Sequence, residues 1–220
     1  MRRLSTGLWY LDDILNGGFK LGYTYEISGY PWDIVKDHIH QIIPNIAIQD
    51  RITILYGQYF EGIDPYKIVR YCKVYRIEYS RIKDRVRIVR GFKGEDYIDG
   101  IKRVENIDGI IILVDPYLHA YMTGRKQLYG VIASEIYKIK RVGKTIVIFN
   151  RLLANGKPLG GELHRHIADY ITSMTYIDGY LYLELIKTLD TPNKSITIEY
   201  KPGYPQLKKK IQHTMLEWIE

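Results

Sequence analysis

The stretch Ile107–Asp115 does most to limit what this chain can become. It is almost wholly apolar, interrupted at Asp108 and closed by Asp115. A strand that is apolar on both faces needs cover on both faces, so it belongs in the middle of a parallel sheet. It is also far short of the ~18 consecutive apolar residues of a membrane helix. Lys144–Phe149 repeats the pattern and supplies a second buried strand.

The segments around these two strands alternate in period. Leu8, Leu11, Ile14 and Leu15 have helical spacing, with Ser5 or Thr6 available as the cap and Asn16-Gly17-Gly18 as the end. Tyr23–Ser28 reads as a strand closing at Gly29, and Pro31 suits a helix start. Ile34, Val35, Ile39, Ile42, Ile43 and Ile46 form a helical stripe, with Pro44 expected to kink or break it. Further strands are expected at Arg51–Tyr56 and Arg85–Val89, and helices at Pro65–Tyr75, Tyr97–Val104 and Leu128–Lys140. Strands alternating with helices argue for an α/β fold, mainly a parallel sheet flanked by helices. Beyond Gly160-Gly161 the pattern becomes antiparallel. Tyr170–Tyr176 and Tyr180–Lys187 flank Asp178-Gly179, a hairpin signal, and Ser195–Tyr200 adds a strand. The tail reads as a helix over about 206–220, with apolar residues at 207, 211, 215 and 218 and a basic start; it suits docking on its own sheet or on a partner. No repeat or linker divides the 220 residues, so a single domain is expected.

Composition narrows the function classes. The opening MRRLSTG has no apolar h-region, and Cys72 is the single cysteine, so a reducing cytoplasm is expected, with neither a disulfide framework nor a thiolate metal site. The 21 tyrosines, with abundant Ile, Lys and Arg, suit a hot-growing source. The net charge of +7 permits an acidic partner or nucleic acid and also fits a heat-stable surface.

Leu4-Ser5-Thr6-Gly7, Leu11-Asp12, Leu15, Gly17-Gly18-Phe19, Gly22, Glu26 and Gly29 resemble the opening of the RecA/RadA recombinase core. The likeness is nearest to short archaeal RadB-like paralogues, which begin here and lack the N-terminal helical DNA-binding domain. It continues at Val86–Phe92 and Ile111–Asp115, and again at Lys157-Pro158-Leu159-Gly160-Gly161, His166, Ala168 and Asp169. The resemblance implies a RecA-like ATPase core with a C-terminal antiparallel hairpin extension, and a setting in homologous recombination and DNA repair.

The departures from that family are chemical. Its phosphate loop, G-x-x-x-x-G-K-[ST], cradles phosphates on backbone N–H groups, reaches them with a lysine and holds magnesium with a hydroxyl. Here the stretch reads Gly29-Tyr30-Pro31-Trp32-Asp33-Ile34-Val35-Lys36. Ile34 stands at the second glycine and resists a positive φ. Pro31 removes a donor, Trp32 adds bulk, and Asp33 brings a negative charge. Val35 replaces the lysine and Lys36 the hydroxyl residue; one helical step, about 100°, turns Lys36 away from the lysine's direction. Gln58 falls near the family's water-orienting glutamate and is a poorer base. Asp115 matches the acidic position that serves nucleotide-bound magnesium, and alternatively reads as a strand-end carboxylate kept for local hydrogen bonds. Lys187 matches a family lysine that senses a neighbouring subunit's nucleotide, and Leu189 falls where an arginine is common. The expectation is a protein without ATP, magnesium or other cofactor and without catalytic residues.

The family faces DNA with two loops. Here they read Tyr121–Gln127, containing Arg125 and Lys126, and Asn150–Lys157, containing Arg151 and Lys157, with Arg165 beyond. These cations are the candidate DNA contacts, or alternatively solvated loop charges. Lys67, Arg70, Lys73, Arg76, Arg81, Lys83, Arg85, Arg87 and Arg90 form a second basic stretch, read mostly as an ion-paired surface, with DNA binding as the minority reading. His38-x-His40 and His164-x-His166 lack supporting ligands, so no metal site is expected. The resulting expectation is a non-catalytic accessory paralogue that binds DNA, most readily single-stranded, a RadA-type recombinase or another paralogue. It would be free of membranes and able to form homo- or hetero-oligomers. A weak, atypical ATPase using Lys36 and Asp115 and a purely structural subunit without DNA affinity are the alternatives.

Overall fold

The structure, a computed structural model, describes residues 2–57, 62–190 and 192–204, and does not describe the side chains of residues 162–164. Gln58 and the tail helix expected over about 206–220 lie outside the described residues.

The elements follow in the order β1 (Arg3–Leu4), α1 (Trp9–Ile14), β2 (Phe19–Lys20), β3 (Thr24–Tyr30), α2 (Trp32–Gln49), β4 (Ile52–Tyr56), α3 (Pro65–Val74), β5 (Val86–Arg90), α4 (Gly94–Val104), β6 (Ile110–Val114), α5 (Leu118–Met122), α6 (Gln127–Arg141), β7 (Thr145–Arg151), β8 (Tyr170–Ile177), β9 (Tyr180–Lys187) and β10 (Ser195–Glu199). An 8-stranded sheet runs β10-β9-β8-β3-β7-β6-β4-β5, and β1 pairs with β2 apart from it. The strands from β8 to β5 pair in parallel, while β9 and β10 add antiparallel pairs at one edge. The fold is thus α/β with a mostly parallel central sheet, flanking helices and a C-terminal antiparallel hairpin. No helix among the described residues is long and apolar enough to cross a membrane.

Alternation along each strand sorts the core into two layers. Ile52, Ile54, Ile110, Ile112, Val147 and Phe149 pack with the side chains of α1, α2 and α3. Leu55, Ile111, Leu113, Ile146 and Ile148 pack on the other face with those of α4 and α6. This is why β6 reads as a continuous apolar run: all five of its residues are buried.

Several boundaries differ from the sequence reading. Ser5 and Thr6 do not cap α1; Asp12 draws them in, accepting from Thr6 N and Thr6 Oγ1 at 2.7 Å each and from Ser5 Oγ at 2.5 Å. Pro44 neither breaks nor ends α2, which continues to Gln49. A proline costs one intrahelical bond and some strain; Ile42, Ile43, Ile46 and Ala47 are fully buried around it and hold the helix in place. Tyr121 and Met122, expected in a loop, close the short α5. At the hairpin, Asp178 and Gly179 take φ of 50° and 87°, as a tight two-residue connection requires.

Candidate functional site

In open α/β sheets, ligands bind outside the carboxyl ends of the strands, where helices leave toward opposite faces. Here that place is the end of β3, β7 and β6, three neighbouring strands. From β3 the chain enters α2 on one face; from β6 it enters α5 and α6 on the other.

The turn after β3 is very short. The strand ends at Tyr30, α2 begins at Trp32, and Pro31 alone lies between them as the cap residue. The Pro31 carbonyl accepts the N–H of Ile34 at 3.1 Å, which withdraws that amide from any ligand. Ile34 and Val35 are buried core residues, 7% and 0% exposed. Gly29 lies inside the strand, where a Cβ would approach Met174 O to 2.5 Å and Val35 Cγ2 to 2.7 Å. Its glycine serves the close seating of α2 on β3 and β8. Lys36 Nζ pairs with Asp33 Oδ1 at 2.8 Å, so its charge is engaged within its own helix.

Across the crevice stands Asp115, 1% exposed and in the left-handed region at φ 52°. Its amide donates to Phe149 O at 2.7 Å, which locks the turn onto β7. Arg151, the last residue of β7, donates Nε to Asp115 Oδ2 at 2.8 Å and brings Nη2 to the same oxygen. Its guanidinium carbon lies 4.9 Å from the centroid of the Trp32 ring. One arginine therefore links the starts of two connections, with an ion pair on one side and a cation–π contact on the other. Among the described residues Asp115 Oδ1 has no hydrogen-bond partner. Burial pushes the Asp115 carboxyl up to about 6 despite Arg151 pulling it down.

The loop candidates lie at the same end. Arg151 belongs to this internal latch and not to the loop tip. The segment after it folds back on itself: Leu152 bridges Pro158, and Leu153 N donates to Lys157 O at 2.8 Å. Asn150 Nδ2 closes its base on Leu159 O at 2.9 Å. A Cβ on Gly160, at φ 87°, would lie 2.7 Å from the Tyr117 ring, so this segment packs directly on the entry to α5. Lys157 and Lys126 are exposed, whereas Arg125 pairs with Glu95 of α4. Arg165 is half-buried, and its carbonyl accepts from Lys187 Nζ at 3.1 Å. Lys187 also donates to Ala168 O at 2.6 Å and so braces the segment that precedes β8.

The histidines of α2 are structural. His38 donates Nδ1–H to Ile34 O at 2.7 Å and accepts the Tyr10 hydroxyl on Nε2 at 2.7 Å. His40 donates Nδ1–H to Lys36 O at 2.7 Å and accepts the Asp64 N–H on Nε2 at 2.9 Å. Burial holds both rings below the usual histidine range. Among the described residues no group of three or more His, Cys, Asp or Glu is placed to hold a metal ion.

Sequence reasoning missed the polar seam beneath α3. Asp37, 7% exposed, accepts from Tyr71 OH at 2.6 Å, Gln41 Nε2 at 2.8 Å, Gly203 N at 3.1 Å and Tyr200 OH at 3.2 Å. An acid inside the apolar stripe of α2 was the available signal. Comparison with protein-family models and with curated proteins finds no match for this chain.

Proposed function

We propose that this chain is a non-catalytic RecA/RadA-like paralogue, an accessory protein of homologous recombination and DNA repair. It binds DNA, a recombinase or another paralogue in the cytoplasm and does not hydrolyse ATP. The ordered motifs resembling that family support the reading, as does a parallel sheet with the first core strand, β3, in its interior.

The observation that carries the non-catalytic half is the Asp115–Arg151–Trp32 latch. In phosphoryl-transfer sites of this kind an aspartate helps to hold magnesium beside the phosphates, and a looped backbone with a lysine cradles them. Here the aspartate already holds a cation of the chain itself. One residue replaces the loop, and the lysine position is filled by a core valine. Binding a triphosphate would require unstacking Arg151 and opening the strand-to-helix turn. The work left to the protein is scaffolding: exposed Lys126 and Lys157 face a phosphate backbone, and the helical surfaces meet a protein partner.

Equilibrium titration with a fluorescent ATP analogue and magnesium tests this. The expected result is no saturable binding in the micromolar range. A micromolar or tighter, magnesium-dependent site that is lost in Asp115→Ala overturns it. A gel shift with single-stranded DNA at two salt concentrations tests the other half, and affinity should fall as salt rises.

A further inference from the structure

We infer that the outer face of α3, joined by the segment after β10, is a second nucleic-acid surface that takes single-stranded DNA or RNA. The inference rests on the reading above for its class of ligand, and on separate residues for its place.

Across Pro65–Val74, α3 carries three cations and no carboxylate. Tyr66, Arg70 and Lys73 follow i, i+4, i+7 spacing and so form one stripe, with Lys67 beside it. Several cations elsewhere meet carboxylates: Lys140 meets Asp169 at 2.6 Å, Lys138 meets Glu135 at 2.7 Å and Lys194 meets Asp13 at 2.7 Å. Among the described residues, Lys67, Arg70, Lys73 and Lys201 form no ion pair. The reading of the 67–90 stretch as ion-paired does not hold for Lys67, Arg70 and Lys73. Arg70 instead donates to Gly203 O at 3.0 Å. It and Lys201 lie 5.8 Å and 4.8 Å from the Tyr204 ring. Charge left unneutralised by the protein is available to a polyanion.

The aromatic residues choose between polyanions. Tyr66 is 85% exposed and Tyr204 is 55% exposed. An acidic polypeptide gains little from such rings, whereas single-stranded bases stack on them while cations follow the backbone. The platform is also built to be rigid. Asp37 takes the Gly203 amide and the Tyr200 hydroxyl, which fixes the segment bearing Lys201 and Tyr204 against α2 and α3.

The test is fluorescence anisotropy of the full chain with labelled oligothymidine at several salt concentrations. The variants are Lys67→Gln/Arg70→Gln/Lys73→Gln, Tyr66→Ala, and Lys126→Gln/Lys157→Gln at the carboxyl-end loops. These are surface positions, and circular dichroism verifies their folding. The triple variant is expected to weaken binding at least tenfold and to lower the salt slope by about 2, as three lost single-strand phosphate contacts require. Tyr66→Ala is expected to weaken binding severalfold with the slope unchanged. If the triple variant binds like the parent while the loop variant does not, the α3 surface falls and the proposed function stands. If the parent itself binds no DNA, the α3 surface falls together with the DNA-binding half of the proposed function, and its protein-partner half stands. If labelled poly-glutamate binds as tightly, and through the same three cations, the partner is an acidic protein and the nucleic-acid assignment is overturned.

Discussion

The two buried aspartates, Asp115 at the carboxyl-end crevice and Asp37 in the seam under α3, are held in opposite ways. Asp115 faces a guanidinium, yet burial pushes its carboxyl up to about 6. Asp37 is pushed up by burial too, but hydrogen bonds from Tyr71 and Gln41, the nearby His38 and the Gly203 amide more than cancel that, and it ends below the usual carboxylate range. The two differ in depth, 1% against 7% exposed, and in how many donors each has and on which atoms. Arg151 places both of its bonds on one oxygen of Asp115, and among the described residues Oδ1 has no partner. Neutral donors serve both oxygens of Asp37.

The largest test of that contrast is Asp37→Ala. It strands four donors and is expected to cost about 4 kcal/mol in urea unfolding; a loss under about 1 kcal/mol would break the comparison. Next comes Arg151→Ala, which leaves Asp115 buried and unpaired. At pH 8 it should cost about 3 kcal/mol. By pH 5 the cost should shrink toward that of a single hydrogen bond, about 1 kcal/mol, because the stranded carboxyl takes up a proton. The pair replacement Arg151→Met/Asp115→Leu should recover most of the loss.

A pH series separates the two signs. With a folded value of about 6 against an ordinary 3.8, Asp115 binds a proton in the folded state that the unfolded chain has already released. Its contribution to stability is fully present below the ordinary value and is lost as pH rises through the folded one. Asp115→Asn should therefore gain about 2 kcal/mol on the parent between pH 4 and pH 7. Asp37 runs the other way: its contribution is present above the ordinary carboxylate value and is lost as pH falls through its depressed one. Asp37→Asn should close on the parent in acid. The smallest effect is expected from Tyr71→Phe, about 1 kcal/mol. There the carboxyl NMR titration of Asp37 should move to higher pH; an unmoved midpoint would show that another donor holds it down.

Much of the architecture is legible in the sequence. The runs Ile107–Asp115 and Lys144–Phe149 identified strands covered on both faces, because burial on both sides favours apolar side chains at successive positions. Asp178-Gly179 marked its hairpin because few residues accept two successive positive φ angles. Pro44 does not break its helix, because packing around the buried segment holds it together. Ser5 and Thr6 were misread because the helix begins at Trp9 with Leu8 as its N-cap residue, so their hydroxyls accept the Gly7 and Leu8 amides ahead of it. At the candidate site, the crowding after β3 was visible in Pro31, Trp32, Ile34 and Val35. Arg151 was assigned to a DNA loop because its strand extends two residues beyond Phe149.

By itself, the order of residues determined the layered α/β plan and the cramped turn that follows β3, since periodicity and backbone allowance act over a few neighbouring positions. Only the tertiary structure decided which charges are neutralised. Arg151 and Asp115 are 36 residues apart in the chain, and Asp37 and Gly203 are 166 apart. An ion pair or a hydrogen bond depends on distances of a few ångströms in space, and chain position does not carry that information until the sheet has brought the strand ends together.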